Sequence, residues 1–217
     1  MELSLIQNIT ILALPILFAV TLHEVAHGWV ASFCGDQTAR LSGRLSLNPI
    51  RHIDLIGTII VPLLLMLMSN FIFGWAKPVP VDARNMRHPR RDMAIVALAG
   101  PLSNIIMAFL WGCIAKIGIM IDGGDGWFGK PLVLMGAAGI QINVMLAVLN
   151  LIPLPPLDGG RVLTGILPRR AAYAFSQIEP YGFIILILLM VTGVLFYIMA
   201  PMVFILINLI GGVFGLA

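Results

Sequence analysis

His23 and His27 stand four residues apart with Glu24 between them, in the run Thr21-Leu22-His23-Glu24-Val25-Ala26-His27-Gly28. On a helix, residues at that spacing share a face, with Cβ atoms about 5–6 Å apart. Two imidazoles so placed form a two-point chelate suited to zinc, which takes nitrogen ligands at about 2.0–2.1 Å and keeps one position open when catalytic. Glu24 then lies beside the metal without being needed as a ligand, a place that suits a general base acting on water. The bland alternative is a pair of satisfied core histidines.

A catalytic zinc requires a third protein ligand, and the chain has ten acidic residues to choose from. Glu2 falls at the far end of the first apolar run, while Asp122 and Asp125 fall in a Gly-rich loop. Asp36, Asp82 and Asp92 sit in basic linkers, where charge pairing accounts for them. Asp54, like His52, belongs to a turn, and a role for either near the metal stays open. His88, in a basic loop, reads as solvated. Glu179 precedes Pro180 at a helix start, which suits an acid without catalysis. Asp158 differs, because it ends an apolar, proline-broken stretch, Asn150-Leu151-Ile152-Pro153-Leu154-Pro155-Pro156-Leu157-Asp158-Gly159-Gly160-Arg161. A carboxylate there is costly unless paired or bound to a metal. It is a candidate third ligand, with neutralisation by Arg161 as the alternative. Asn150 offers an amide donor for an oxyanion, or an ordinary interhelical hydrogen bond.

The elements that must position these groups are membrane helices. The chain is 59% hydrophobic and 11% charged over 217 residues, with mean hydropathy +1.01, far from the roughly 25% charged residues of a soluble domain. Apolar runs near 20 residues match a hydrocarbon core about 30 Å thick. The expected fold class is an all-α polytopic membrane protein, one domain over 1–217, with spans near 4–32, 93–119, 132–152, 181–199 and 202–216. The first span leads directly into the histidines and lacks a basic flank, so it is not expected to be a cleaved signal. Segment 55–74 is apolar but has basic residues on both sides, so it is expected to dip in and return, a plain crossing being the alternative.

Leu41, Leu45 and Leu47 alternate with polar residues around Gly43, which predicts a small β-hairpin over 38–47 able to hold an extended peptide. The proline-rich stretch 74–82 predicts a second extended strand. Cys34 and Cys113 lie far apart without a C-x-x-C pair, so neither disulfide nor thiolate site is expected. The net charge of +3 comes from basic loops that act as orientation signals, and nothing suggests nucleic acid.

The chain resembles the site-2 proteases, zinc-dependent intramembrane endopeptidases. The resemblance rests on H-E-V-A-H at 23–27, A-G-P-L-S-N at 99–104 and N-L-I-P-L-P-P-L-D-G-G-R at 150–161, in the family's order. G-W-A-K-P-V-P-V-D at 74–82 resembles a small bacterial and archaeal branch. The resemblance implies His23, His27 and Asp158 as zinc ligands, Glu24 as base, and Asn150 as a transition-state or substrate-positioning residue. It further implies one Zn2+ per chain, a membrane-associated β-sheet, an active site near the cytoplasmic face of the cell membrane, and a transmembrane protein as substrate in regulated intramembrane proteolysis. The chain departs from that family in lacking a recognisable PDZ or CBS module and in having the segment 55–74. A metal transporter or sensor is the rival reading, as is a protease of another family using Glu2 or Glu179 as third ligand.

Overall fold

The computed structural model describes residues 5–60 and 76–216, and these are mainly helical. Helix α1 runs Leu5–Cys34, α2 is the short turn Thr38–Leu41, α3 runs Pro89–Asp122 and α4 Gly129–Leu151. Then come α5 Asp158–Ile166, α6 Arg169–Ser176, α7 Glu179–Val191 and α8 Val194–Phe214. Four helices are long and apolar enough to cross a membrane, in α1, α3, α4 and α8, and the pair α6–α7, bent by 63°, makes a fifth if taken as one span.

The bundle centres on α3 and α4, a pair joined by a short loop and therefore antiparallel. Water-driven burial is absent between lipid-embedded helices, so close backbone approach through small residues takes over. Gly112 and Gly118 on α3 and Gly136 and Gly139 on α4 are accordingly buried, and Gly139 lies flat against the Trp111 indole. Around this seam Trp111, Ile140, Val144, Leu186, Met199 and Ile210 form the apolar core. Helix α1 packs on the other side against α3 and α4, which brings its histidines to the centre of the bundle.

The closing helices divide differently from the expected break between 199 and 202. The chain turns at Gly193, whose φ is +76° and whose N–H closes on the Met190 carbonyl. Pro201 lies inside α8. Hydropathy does not distinguish these two places, and a membrane helix tolerates proline where its neighbours take up the freed carbonyl. Segment 55–74 begins with a π-helical turn, Leu55–Ile60. Its remainder lies outside the described residues, as do Gly74 and Trp75 of the expected strand.

No strand occurs among the described residues, and 38–47 is not a hairpin. Local hydrogen bonding outcompetes the alternating pattern there. Asp36 accepts the Thr38 backbone N–H at 3.0 Å and the Thr38 hydroxyl, starting a helical turn. Leu41 and Leu47, meant to share the inward face, are both exposed. Residues 76–82 form no regular element, though Asp82 has extended dihedrals, and they are held by side chains and turns in place of a sheet. Asp36 fastens one end, accepting from the Asp82 backbone N–H at 2.7 Å and from Asn85 Nδ2 at 3.1 Å.

Asp36 is fully buried. Burial opposes its ionisation, but the donors from Thr38, Asp82 and Asn85 outweigh that and hold the carboxyl below its ordinary value. A carboxyl depressed in the folded state stabilises fully above its unfolded pKa of about 3.9 and loses that contribution as pH falls through the folded value. Asp36→Asn is therefore expected to cost about 1–3 kcal/mol at pH 7. In thermal unfolding, its deficit relative to wild type should narrow below about pH 4.

Candidate metal centre

His23 and His27 lie on one face of the C-terminal part of α1, each 9% exposed. Asp158 reaches them from a separate element. Helix α4 stops at Leu151 because Ile152, followed by Pro153, is extended. The chain then turns through Pro153–Leu157 and restarts as α5 with Asp158 in its first turn, where the helix dipole favours an acid. Gly159 and Gly160 let α5 pack directly on this turn. Arg90 of α3 holds the far end of α5 by donating to the Thr164 carbonyl at 3.3 Å.

Three atoms converge. His23 Nε2 and His27 Nε2 are 3.1 Å apart, and Asp158 Oδ2 is 3.2 Å from the first and 3.3 Å from the second. The tautomers follow from what lies behind the rings. Asn143 Nδ2 donates to the Gly139 carbonyl at 2.9 Å, so its Oδ1 faces Asn104. Asn104 Nδ2 donates to that oxygen at 3.0 Å and to the Ala19 carbonyl at 3.1 Å. Asn104 Oδ1 must then accept, and His23 Nδ1–H donates to it at 2.6 Å. His27 Nδ1 faces the Val96 carbonyl at 2.8 Å and must donate likewise. In the neutral imidazoles both Nε2 atoms then carry lone pairs, and Asp158 Oδ2 is buried with no hydrogen-bond donor.

Three buried lone-pair atoms this close repel one another unless a proton or a cation lies among them. Ligands about 2.0–2.1 Å from a tetrahedral ion lie about 3.3 Å apart, so the triangle has the size zinc requires. His23, His27 and Asp158 are the one group of this kind among the described residues. Arg161 is exposed and makes no ion pair with Asp158, which disposes of simple neutralisation.

The other sequence candidates lie apart from this group. Asp54 caps the turn at Ile56 and Gly57, His52 Nε2 meets the Ser46 carbonyl at 2.8 Å, and His88 is exposed. Glu179 opens α7 outside the group, and Glu2 lies outside the described residues. Glu24, half-buried, accepts the Val79 backbone N–H at 2.8 Å. Asn150 gives one amide N–H to the Leu146 carbonyl at 3.0 Å, its other N–H having no acceptor among the described residues. Sequence reasoning missed Asn104 and Asn143 as supports. Their signal was an amide inside an apolar span, which is functional by default. It missed Gly100 as well, on which a Cβ would lie 2.6 Å from both imidazole Cε1 atoms.

The sequence profile described as "Peptidase family M50" matches residues 117–193. Among curated proteins, the chain is 39% identical over 193 residues to "Putative zinc metalloprotease YwhC" of Bacillus subtilis (strain 168), covering 88% of this chain and 84% of that one. It is 27% identical over 179 residues to "Putative zinc metalloprotease Rip2" of Mycolicibacterium smegmatis, covering 82% of this chain and 66% of Rip2. It is also 38% identical over 68 residues to "Putative zinc metalloprotease MJ0611" of Methanocaldococcus jannaschii, 31% of each chain. No solved structure matches.

Losing an outer hydrogen-bond partner costs a metal site about 10- to 100-fold in affinity. Asn104→Leu is expected to weaken zinc binding by that factor in a chelator competition, with Asn143→Leu weakening it less. Gly100→Val should abolish binding, since its side chain occupies the space of the two rings.

Proposed function

Since the chain belongs to peptidase family M50, the site-2 protease family, we propose that this membrane zinc metalloprotease cuts transmembrane or membrane-proximal segments of other membrane proteins, as in regulated intramembrane proteolysis. The observation that carries the reading is the meeting of His23, His27 and Asp158 around one ion-sized space inside an apolar bundle, with Glu24 next in sequence to a ligand.

In this reading His23 Nε2, His27 Nε2 and Asp158 Oδ2 hold the zinc. When bound, zinc supplies Lewis acidity to water and to the scissile carbonyl. Glu24 takes the proton of the attacking water and passes it to the leaving amine. Asn150 turns its free N–H toward the substrate carbonyl, steadying the oxyanion or orienting the peptide. A substrate helix must unwind locally, because its carbonyls are otherwise engaged within the helix.

The site faces the cytoplasm in this account. Arg40, Arg44, Arg51, Lys77, Arg84 and Arg87 lie between α1 and α3, and Arg90 and Arg91 in the first turn of α3, at the end of α1 that carries the histidines, and basic segments at span ends stay inside. Against a metal transporter stands the group's being solitary among the described residues, since a conduction path needs successive sites.

Glu24→Gln is expected to keep zinc while cleavage of a reconstituted single-span substrate falls by about 10²- to 10⁴-fold. Membranes of cells carrying that variant should accumulate an uncut precursor. Cleavage at the wild-type rate would contradict the assignment of Glu24.

A further inference from the structure

We propose that the backbone N–H of Val79 is a positioning group of this catalytic site, holding one oxygen of Glu24 so that the other is left to carry the proton. The inference rests on the reading of Glu24 as general base. The bond is the 2.8 Å contact from Val79 N to Glu24 Oε2, and no other donor meets Glu24 among the described residues.

Residues 77–82 lie across the end of α1 as an irregular strap. Its first end is fixed by Lys77 N–H donating to the His52 carbonyl at 2.9 Å, and by Arg44 donating to the carbonyls of Lys77 at 3.0 Å and Pro78 at 3.3 Å. Its second end is fixed by the Asp82 N–H on buried Asp36 at 2.7 Å. Between them the Val79 side chain is buried, seated on Gly28, the residue that follows the H-E-x-x-H run. A Cβ on Gly28 would lie 2.9 Å from Val79 Cγ1 and 3.1 Å from Ala39 Cβ. The strap is thus a fixture, since lifting it would break both anchors and uncover the valine.

The sequence makes this one donor unambiguous. Pro78 and Pro80 have no N–H, so Val79 supplies the only backbone donor between Lys77 and Val81. A slip of one residue in either direction would present a proline to Glu24. Both prolines also bias the residue before them, Lys77 and Val79, toward extended geometry. The strap therefore offers a carboxylate a single, preset hydrogen bond.

Two measurements test this on the zinc-loaded full chain. The first is amide hydrogen exchange. The Val79 amide is expected to be protected in the wild type and to exchange at least about tenfold faster in Glu24→Ala, with the Lys77 and Asp82 amides as unchanged internal references. The second replaces the Val79 amide by an ester, through 2-hydroxyisovalerate at that position, with Val79→Pro as a genetically simple counterpart. Turnover of the accumulating precursor, reconstituted in liposomes, should fall in kcat by roughly 10- to 100-fold, with zinc content and KM within about twofold of wild type. Three results would each overturn the inference: a Val79 amide indifferent to Glu24, an ester enzyme at or above the wild-type rate, or a loss lying wholly in KM or zinc content. Should Val79→Pro fail to fold, the ester alone decides. Failure of the underlying reading is separately visible as full turnover by Glu24→Gln.

Discussion

Three lone pairs are held face to face at 3.1–3.3 Å in a place from which water is largely excluded. Unsatisfied polar atoms so buried are costly unless a proton or a cation lies among them. The fold enforces the arrangement. Val96 and the Asn104–Asn143 relay fix each imidazole with its lone pair inward, and both rings lie over the bare Cα of Gly100. A divalent cation among the three atoms would offset that cost, so the packing of the apolar bundle is what makes two histidines and an aspartate a candidate metal site.

That packing has a division of labour. Helices α3 and α4 interlock through small residues and form the frame. Helix α1 brings two of the candidate ligands on one turn, while the proline-broken passage from α4 to α5 delivers the third. A ligand at the first turn of a short helix, packed by glycines against the turn before it, is held by backbone on several sides. The strap at 77–82 reaches Glu24, the proposed base, through the Val79 N–H.

Much of this was legible in the sequence, for physical reasons that differ by residue. The four-residue spacing of His23 and His27 puts them on one helical face whatever surrounds them. Asp158 stood out because a carboxylate in an apolar run has few other uses. The helical turn at Thr38–Leu41, where the alternation predicts a hairpin, was not to be had from pattern, because Asp36 captures Thr38 and starts a turn that overrides the alternation. The break at Gly193 was hidden because Pro201 is an equally good breaker in water and a tolerable one in lipid. Asn104 and Asn143 were visible as polar letters in apolar spans, but which groups they join depends on how α1, α3 and α4 pack. The Val79 donor has no letter at all, since every residue but proline carries an N–H. Only the two prolines beside it hinted that one donor mattered.

X-ray absorption at the zinc edge, on the purified chain loaded with one equivalent of zinc, examines the coordination directly. The structure predicts two imidazole nitrogens and at least one carboxylate oxygen at about 2.0–2.1 Å with no sulfur in the shell, and a loss of one light-atom ligand in Asp158→Ala. A shell containing cysteine sulfur, or a zinc spectrum unchanged when His23, His27 or Asp158 is removed, would contradict it.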